Sequence, residues 1–307
     1  MRILHLSDTH LTRSPGLDGD GVDTRESLRR ILHDCAELPG LDAVVVTGDI
    51  ADDGSREAYT DALGLIGAFA RQRHIPAVFS TGNHDERAAF TAVLGTGHLD
   101  AEGQDRPDSR LDTADGARAA VTTVAGYRIV TLDSLVPGKG YGQISTAQLA
   151  WLRDVLAVPA PYGTVLAFHH PPVVVPGVTV QDALGLRNGP ELADAISGTD
   201  VRLVLCGHFH LQVFGMLAGV PVWVTPGVVT RIDLTATPGT ERAVKGASAS
   251  LIDLGGPHSP VCHTLHARDP HAGRTAYEID AVELGSVIAE LGPPAYSRPA
   301  EPIASTP

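Results

Sequence analysis

The chain has 307 residues, of which 43% are apolar and 19% are charged. This balance is typical of a folded globular protein with enough apolar material for a sizeable core. The chain has 23 Lys and Arg residues and 36 Asp and Glu residues, which gives a formal charge of −13. This negative charge argues against extended electrostatic binding to nucleic acid or to an anionic membrane.

Short apolar runs recur along the chain, and polar residues follow most of them. The runs rarely alternate with polar residues and are rich in β-branched side chains, as in strands that are buried on both faces. The predicted strands are Ile3–Leu6, Ala43–Val46, Ala77–Phe79, Tyr127–Leu132, Val165–Phe168, Val201–Cys206 and Val220–Val224.

Amphipathic stretches separate several of these strands and predict helices. Thr24–Leu38 has apolar residues at helical spacing, and Glu191–Ile196 is a shorter candidate. Ser55–Arg71 and Ser145–Leu156 each begin with a serine suited to cap a helix. The alternation of strands and helices predicts an α/β architecture.

The remaining segments complete a single predicted domain over residues 1–285. Ala119–Val124 and the strand after it predict a β-hairpin, so the sheet should be mixed. Ser248–Leu254 and Pro260–Leu265 predict closing strands. We expect irregular insertions near residues 95–117 and 231–246, and a mobile tail rich in Pro, Ala and Ser over residues 286–307.

Two features of the sequence predict a cytoplasmic protein. The first residues, MRILHL, lack the apolar core of a signal peptide, and no apolar run approaches the roughly 18 residues that span a bilayer. The three cysteines, Cys35, Cys206 and Cys262, are odd in number and widely spaced, which argues against a disulfide framework.

Residue types that bind metals stand directly after the predicted strands, at the ends that converge on the ligand-binding crevice of α/β sheets. These residues are Asp8, His10, Asp49, Asn83, His169, His208 and His210. Seven donors exceed the needs of one tetrahedral metal and match two metals that share a carboxylate. Oxygen and nitrogen donors without thiolate favour Mn, Fe, Co or Zn over a dedicated Mg or Ca cage.

Each motif taken alone has a simpler explanation. Asp8-x-His10 and Gly48-Asp49 suit helix caps or turns, and Gly82-Asn83-His84-Asp85 suits a turn with a left-handed asparagine. The later histidines suit hydrogen-bonded surface positions. Together, each after an apolar strand, the motifs favour a shared metal site.

The order of these motifs resembles the calcineurin-like metallophosphoesterase superfamily, whose D-x-H, GD, GNH[DE], H and GHxH blocks are all filled between Asp8 and His210. The resemblance implies two mixed β-sheets packed as a sandwich and flanked by helices, a four-layer fold. It further implies two metal sites that share Asp49: one formed by Asp8, His10, Asp49 and His210, the other by Asp49, Asn83, His169 and His208. His84 matches a catalytic histidine that is not a ligand, and Asp85 matches the residue that orients it.

Further segments resemble the bacterial class III cyclic nucleotide phosphodiesterases: LHLSDTHL, VTGDIAD and VPGKGYGQISTAQLAWL. This resemblance implies hydrolysis of 3′,5′-cyclic nucleotides such as cAMP to 5′-nucleotides by a metal-bridging hydroxide. His84 would then be the general acid that protonates the ribose oxygen. It also implies a small-molecule substrate and a homodimer with a contact at Arg231–Gly246.

Two alternatives stay open at this point. The same chemistry in a different pocket would hydrolyse another small diester, either a 2′,3′-cyclic nucleotide or a glycerophosphodiester. A catalytically inactive protein of this fold would act as a scaffold instead. The presence of all seven ligand-type residues and His84 weighs against the scaffold.

Overall fold

Strands and helices alternate through most of the chain, of which the computed structural model describes residues 1–294. The helices are α1 (Thr24–Asp34), α2 (Arg56–Ala62), α3 (Ala68–Gln72), α4 (Arg87–Leu94), α5 (Thr146–Leu156), α6 (Thr179–Leu184), α7 (Gly189–Ile196) and α8 (Ala281–Leu291). The strands are β1 (Arg2–Leu6), β2 (Ala43–Thr47), β3 (Ala77–Ser80), β4 (His98–Leu99), β5 (Ser109–Asp112), β6 (Arg118–Val124), β7 (Tyr127–Thr131), β8 (Thr164–Ala167), β9 (Val201–Cys206), β10 (Val213–Leu217), β11 (Val220–Val224), β12 (Thr230–Ile232), β13 (Glu241–Lys245), β14 (Ser248–Asp253), β15 (Val261–His266) and β16 (Thr275–Ile279).

Two large mixed sheets contain most of these strands. The first has the order β15-β14-β1-β2-β3-β4, with β1, β2 and β3 parallel. The second has the order β10-β11-β9-β8-β7-β6-β5, with β7, β8, β9 and β11 parallel. A small third sheet, β12-β13-β16, is antiparallel.

Alternate residues of the central strands pack on opposite sides, because side chains alternate across a sheet. In β2, Val44 and Val46 pack against the helices α1 to α4, whereas Val45 packs against the second sheet. In β9, Val204 packs against α5 and α7, and Leu205 faces the first sheet. The resulting order of helices, sheet, sheet and helices confirms the predicted four-layer fold.

The predicted helix caps form as expected. The Ser55 hydroxyl accepts a hydrogen bond from the backbone N–H of Ala58, and the Ser145 hydroxyl accepts one from Gln148. Between α2 and α3 the helix continues through a π-helical turn at Leu63–Gly67. The helix predicted over Ser55–Arg71 is therefore continuous, with one π-helical turn in its middle.

The two regions predicted as irregular contain short strands, which corrects that prediction. Residues 95–117 include β4 and β5, and residues 231–246 include β13 and the end of β12. In β5, three of the four side chains are exposed, so its sequence lacks an apolar pattern, and its pairing with β6 defines it instead. Strand formation depends on packing and on pairing with a neighbouring strand more than on the strand's own residues, and the partner β6 follows β5 directly in the chain.

The predicted tail also needs correction, because α8 extends across its expected start at residue 286. The backbone N–H groups of Val282 and Glu283 donate to the Asp280 carboxylate, which caps this helix. On one side of α8, apolar side chains pack against α6; they are Leu284, Val287, Ile288 and Leu291. The part of the predicted tail from residue 295 to residue 307 lies outside the described residues.

The sequence patterns did not predict α4, α6, α8, β10 or β16, each of which is short, partly exposed or both. Of the helices in residues 1–294, none combines the length and apolar character needed to cross a lipid bilayer. All three cysteines are free.

Candidate metal centre

The seven predicted ligands lie in loops that follow five strands, and the structure brings these loops together. Asp8 and His10 follow β1, and their backbone N–H groups donate to the carbonyl oxygens of Gly48 and Asp49 after β2, at 3.1 Å and 3.0 Å. The Asp8 carboxylate accepts a hydrogen bond from the backbone N–H of His208, which follows β9 in the other sheet. The site is therefore built at an edge common to both large sheets.

Most of the candidate ligands have an unusual backbone conformation. Five of them have positive φ angles between 41° and 70°: Asp8, His10, Asp49, His208 and His210. This left-handed region is uncommon for residues other than glycine and is concentrated at functional sites, where the surrounding structure must hold it. The conformation turns each loop sharply after its strand.

Two glycines let the loops approach closely. A Cβ atom on Gly82 would lie 2.3 Å from Oδ1 of Asp49, and one on Gly207 would lie 2.7 Å from Oδ2 of Asp8. Both distances are far below van der Waals contact. The glycines of the GNH and GHxH motifs are therefore required by the packing of the candidate ligands.

One group of donors surrounds a point between β1 and β9. Nε2 of His10 lies 3.2 Å from Nε2 of His210, and Nε2 of His210 lies 3.5 Å from Oδ1 of Asp8. Oδ2 of Asp49 is 3.8 Å from Nε2 of His10. These four residues could hold one metal ion.

A second group lies on the other side of Asp49. Nε2 of His169 is 3.1 Å from Oδ2 of Asp49 and 3.2 Å from Oδ1 of Asn83. Nδ1 of His208 is 3.2 Å from the same His169 nitrogen. Oδ2 of Asp49 thus faces both donor groups, as expected of a carboxylate shared by two metals.

The outer ring nitrogens of the four candidate histidines all have hydrogen-bond partners. His169 Nδ1 lies 2.7 Å from the Thr47 carbonyl, and His208 Nε2 lies 3.0 Å from the Leu184 carbonyl. The corresponding partners are Asp52 for His10 and Thr230 for His210. Such bonds fix the tautomer and aim the inner nitrogen of metal-binding histidines.

The inner nitrogens face one another in a way that fits bound cations. Once the outer nitrogen donates its proton to a carbonyl or carboxylate, the inner nitrogen of a neutral ring carries a lone pair. His10 faces His210, and His169 faces His208, each pair at 3.2 Å. Facing lone pairs repel unless a cation or proton lies between them, so this donor set fits two metal ions.

The ionisation of the two buried carboxylates also fits bound cations. Burial would raise the pKa of Asp8, but His210 and His169 lower it to about 2. The pKa of Asp49 is lowered well below its ordinary range, since His169 and His84 outweigh its burial. Both carboxylates are therefore anionic at neutral pH.

His84 lies at the entrance of the site, with 42% of its side chain exposed. Its backbone N–H donates to Oδ1 of Asp49 at 2.9 Å, and its ring Nδ1 lies 3.2 Å from Oδ1 of Asp52. Burial would lower the pKa of His84, but Asp49 and Asp52 raise it to about 10. The ring is close to the donor groups and protonated at neutral pH.

Asp85 does not orient His84, contrary to the expectation from the sequence. Its buried carboxylate accepts hydrogen bonds from the backbone N–H groups of Ile50, Ala51 and Gly82, and from the Tyr59 hydroxyl. Asp85 therefore joins the loops after β2 and β3. Asp52 lies beside the His84 ring instead. It is the last residue of the VTGDIAD motif, and this position could have identified it as a site residue.

His170 is a further residue of the site, and its role was not predicted from the sequence. Its ring is buried between those of His169 and His208, at centroid distances of 4.9 Å and 4.5 Å. Its Nδ1 lies 2.8 Å from the Ser134 hydroxyl. The ring of His170 therefore packs against both candidate ligands.

A cavity of about 530 Å³ opens onto these residues. Its lining includes five candidate ligands and His84: His10, Asp49, Asn83, His84, His208 and His210. Residues of α6, β13, β16 and α8 also line it. Its size is that of a pocket for a small organic ligand.

Comparison with known proteins identifies relatives for most of the chain. A family model described as calcineurin-like phosphoesterase matches residues 1–212. A probable cyclic nucleotide phosphodiesterase of Rhodococcus erythropolis is 39% identical over 249 residues, covering 80% of this chain and 76% of that protein. A cAMP/cGMP dual specificity phosphodiesterase of Mycobacterium tuberculosis is 38% identical over 250 residues, covering 80% and 73%. A 3′,5′-cyclic adenosine monophosphate phosphodiesterase of Pseudomonas aeruginosa is 32% identical over 212 residues, covering 68% and 70%.

Proposed function

The chain belongs to the calcineurin-like phosphoesterase family, and we propose that it is a metal-dependent phosphodiesterase that hydrolyses 3′,5′-cyclic nucleotides to 5′-nucleotides. The names of its relatives support the substrate class. The observation that carries the proposal is the position of Asp49, whose Oδ2 lies within 3.8 Å of His10 and within 3.1 Å of His169. One carboxylate between two donor groups is an arrangement that suits a pair of metals.

Seven residues would hold the two metals in this proposal. Asp8, His10, Asp49 and His210 would bind one, and Asp49, Asn83, His169 and His208 would bind the other. The mixture of oxygen and nitrogen donors suits Mn, Fe, Zn or Co. When bound, such a pair activates water at neutral pH and neutralises charge on the phosphoryl oxygens.

The cavity's own charge makes that neutralisation necessary. Besides Asp49, the cavity is lined by Asp18, Asp20, Asp52 and Glu241. A phosphodiester carries one negative charge, which these carboxylates repel. Asp8 and Asp49 would hold the cations whose positive charge offsets this repulsion.

His84 donates the proton that the leaving group needs. Hydrolysis adds hydroxide to phosphorus and breaks the bond from phosphorus to the ribose 3′ oxygen. An alkoxide is a poor leaving group, so this oxygen must be protonated as it leaves. The His84 ring is close to the donor groups, and its Nδ1 is held by Asp52. Its Nε2 is then the nitrogen that faces the ribose oxygen as general acid.

The experiment that tests this function compares four diesters on one protein. The purified protein is stripped of metal, Mn²⁺ is added, and 3′,5′-cAMP, 2′,3′-cAMP, glycerophosphocholine and bis(p-nitrophenyl) phosphate are followed by chromatography. The expected result is conversion of 3′,5′-cAMP to 5′-AMP that a chelator abolishes. Preferred cleavage of 2′,3′-cAMP or glycerophosphocholine would reassign the substrate, and no cleavage of any diester would favour the scaffold alternative.

We also propose that the protein works in the cytoplasm, which its three free cysteines support. The homodimer stays a prediction. Sedimentation of the purified protein at several concentrations measures its oligomeric state.

A further inference from the structure

A second cavity is formed by α1, the start of α2 and the loop that joins β1 to α1. It has a volume of about 580 Å³ and is open to solvent. Four arginines line it: Arg13, Arg25, Arg29 and Arg56. Within residues 1–294, no residue lines both this cavity and the one at the candidate metal ligands. The arginine-lined cavity is therefore a separate feature of the fold.

Two ion pairs hold the three segments around this cavity together. The buried guanidinium of Arg25 on α1 donates to the carboxylate of Asp61 on α2. Nε of Arg13, in the loop, lies 3.5 Å from Oε2 of Glu57, also on α2. Both carboxylates line the cavity with the arginines, so the positions of two of the four guanidinium groups are fixed by contacts with α2.

The other two arginines have no such partner. Arg29 lies four residues after Arg25, so both side chains lie on the same face of α1. Arg56 is the first residue of α2, and both Arg29 and Arg56 are exposed. Within the described part of the chain, neither guanidinium takes part in an ion pair or a hydrogen bond. Four guanidinium groups and two carboxylates give the cavity a net charge of +2.

This local excess of positive charge stands in a chain whose formal charge is −13. Like charges that are close together repel one another, and a bound anion offsets that repulsion. The planar guanidinium group binds phosphate through paired N–H donors. A phosphate monoester carries a charge close to −2 at neutral pH, which matches the net charge of the cavity.

We propose that this cavity binds a doubly charged phosphate group, either free phosphate or the end of a small phosphomonoester. Arg29 and Arg56 contact the phosphate oxygens, and Arg25, held by Asp61, forms the base of the site. The volume is that of a site for a small molecule. A nucleic acid is a poorer occupant, because the rest of the chain is negatively charged overall and repels a polyanion that extends beyond the cavity.

The cavity adjoins the loop that carries the candidate ligand His10. Nη2 of Arg25 donates to the carbonyl oxygen of Thr12 at 2.8 Å, and the backbone N–H of Arg13 donates to the Asp53 carboxylate at 3.1 Å. His10 and Arg13 are the two ends of one four-residue segment, so the cavity and the candidate metal centre each use one end of it. The test is therefore made on the metal-loaded protein.

The test counts the phosphate ions that the protein binds. Equilibrium dialysis against radiolabelled inorganic phosphate gives the number bound per chain and their Kd. Phosphate is also a ligand for metal ions, so the result is read from the difference between proteins. In the double variant Arg29→Gln, Arg56→Gln, one bound phosphate per chain should be lost, or its Kd should rise about tenfold or more.

A matched double variant separates the site from a change in overall charge. Arg106→Gln, Arg268→Gln removes the same charge from side chains that are 72% and 89% exposed and that are not among the residues lining the cavity. This variant should bind phosphate as the wild type does. The circular dichroism spectrum of each variant checks that it is folded.

Two results overturn the site: unchanged phosphate binding in the Arg29 and Arg56 variant, or an equal loss in both double variants. Neither result depends on cleavage of a cyclic nucleotide. Failure of the proposed function would therefore leave the test of this cavity intact, and failure of the cavity would leave the proposed function intact.

Competition then identifies what carries the phosphate. Unlabelled 5′-AMP and ribose 5-phosphate are added to the wild type, and we follow the phosphate that the Arg29 and Arg56 variant lacks. Displacement at a lower concentration of 5′-AMP than of ribose 5-phosphate assigns a nucleotide to the cavity. Equal displacement assigns phosphomonoesters in general, and no displacement by either assigns free phosphate.

Discussion

Asp52 and His84 face each other at the entrance of the site, with Oδ1 of Asp52 3.2 Å from Nδ1 of His84. The same carboxylate oxygen lies 2.9 Å from Nδ1 of His10. Asp52 therefore joins a candidate ligand to the candidate general acid. It raises the pKa of His84 together with Asp49.

Asp52→Asn should move the alkaline limit of activity to lower pH. A general acid must be protonated, so activity falls as the pH rises through its pKa. Without the Asp52 charge the pKa of His84 is lower, and the fall in kcat comes earlier. The pH dependence of kcat for 3′,5′-cAMP measures this. Asp53→Asn is the control, because the Asp53 carboxylate accepts from the backbone N–H groups of Arg13 and Ser55 instead.

His84→Ala should lower kcat for 3′,5′-cAMP by about 10² to 10⁴, the usual contribution of a general acid. Its metal content, measured by mass spectrometry of the purified protein, should stay near that of the wild type. The loss for bis(p-nitrophenyl) phosphate should be much smaller, because p-nitrophenolate leaves without a proton. Equal losses on both substrates would contradict the assignment.

Asp49→Ala should remove both metals, because its carboxylate faces both donor groups. Metal content after dialysis is the measurement, and activity should fall with it. Asp253→Ala, which changes an exposed partner of Arg2 away from the site, should keep both metals. Full metal content in the Asp49 variant would refute the shared carboxylate.

Gly82→Ala should disrupt the site although no ligand is replaced. The added methyl group would lie 2.3 Å from Oδ1 of Asp49 and 2.8 Å from a carbon of the His169 ring. Metal content and activity should both fall. Gly64→Ala, where an added methyl group meets no atom within 4 Å, should leave both unchanged.

His98 should make the protein less stable in acid. Burial lowers the pKa of His98 to about 3 in the folded protein, against about 6.5 in an unfolded chain. Between these values the unfolded chain binds the extra proton, so stability falls as the pH drops below about 6.5, by up to about 1.4 kcal/mol per pH unit. The ring lies between the Thr122 and Thr131 hydroxyls, at 2.7 Å and 2.8 Å.

Urea unfolding at about pH 7 and about pH 5 measures this effect in the wild type and in His98→Gln. The variant keeps a polar side chain at this position but cannot titrate, so its loss of stability on acidification should be smaller. An equal loss in both proteins would show that His98 does not contribute.

The ligand set was predictable from the sequence because each member directly follows a buried strand, and the α/β architecture brings such ends together. Asp85 shows where this reasoning stops. Its place in the GNHD motif does not reveal that four donors already surround its carboxylate. The role of Asp52 was not predicted because its partner, His84, lies 32 residues away in the chain.

The loops of the site also determine how the molecule resists unfolding. They start from β1, β2 and β3 in one sheet and from β8 and β9 in the other, so a bound metal pair ties the two sheets together at one edge. A ligand that binds only the folded protein stabilises it by about 2.7 kcal/mol at a hundred times its Kd. Removal of the metals should therefore lower the free energy of unfolding of the protein as well as its activity.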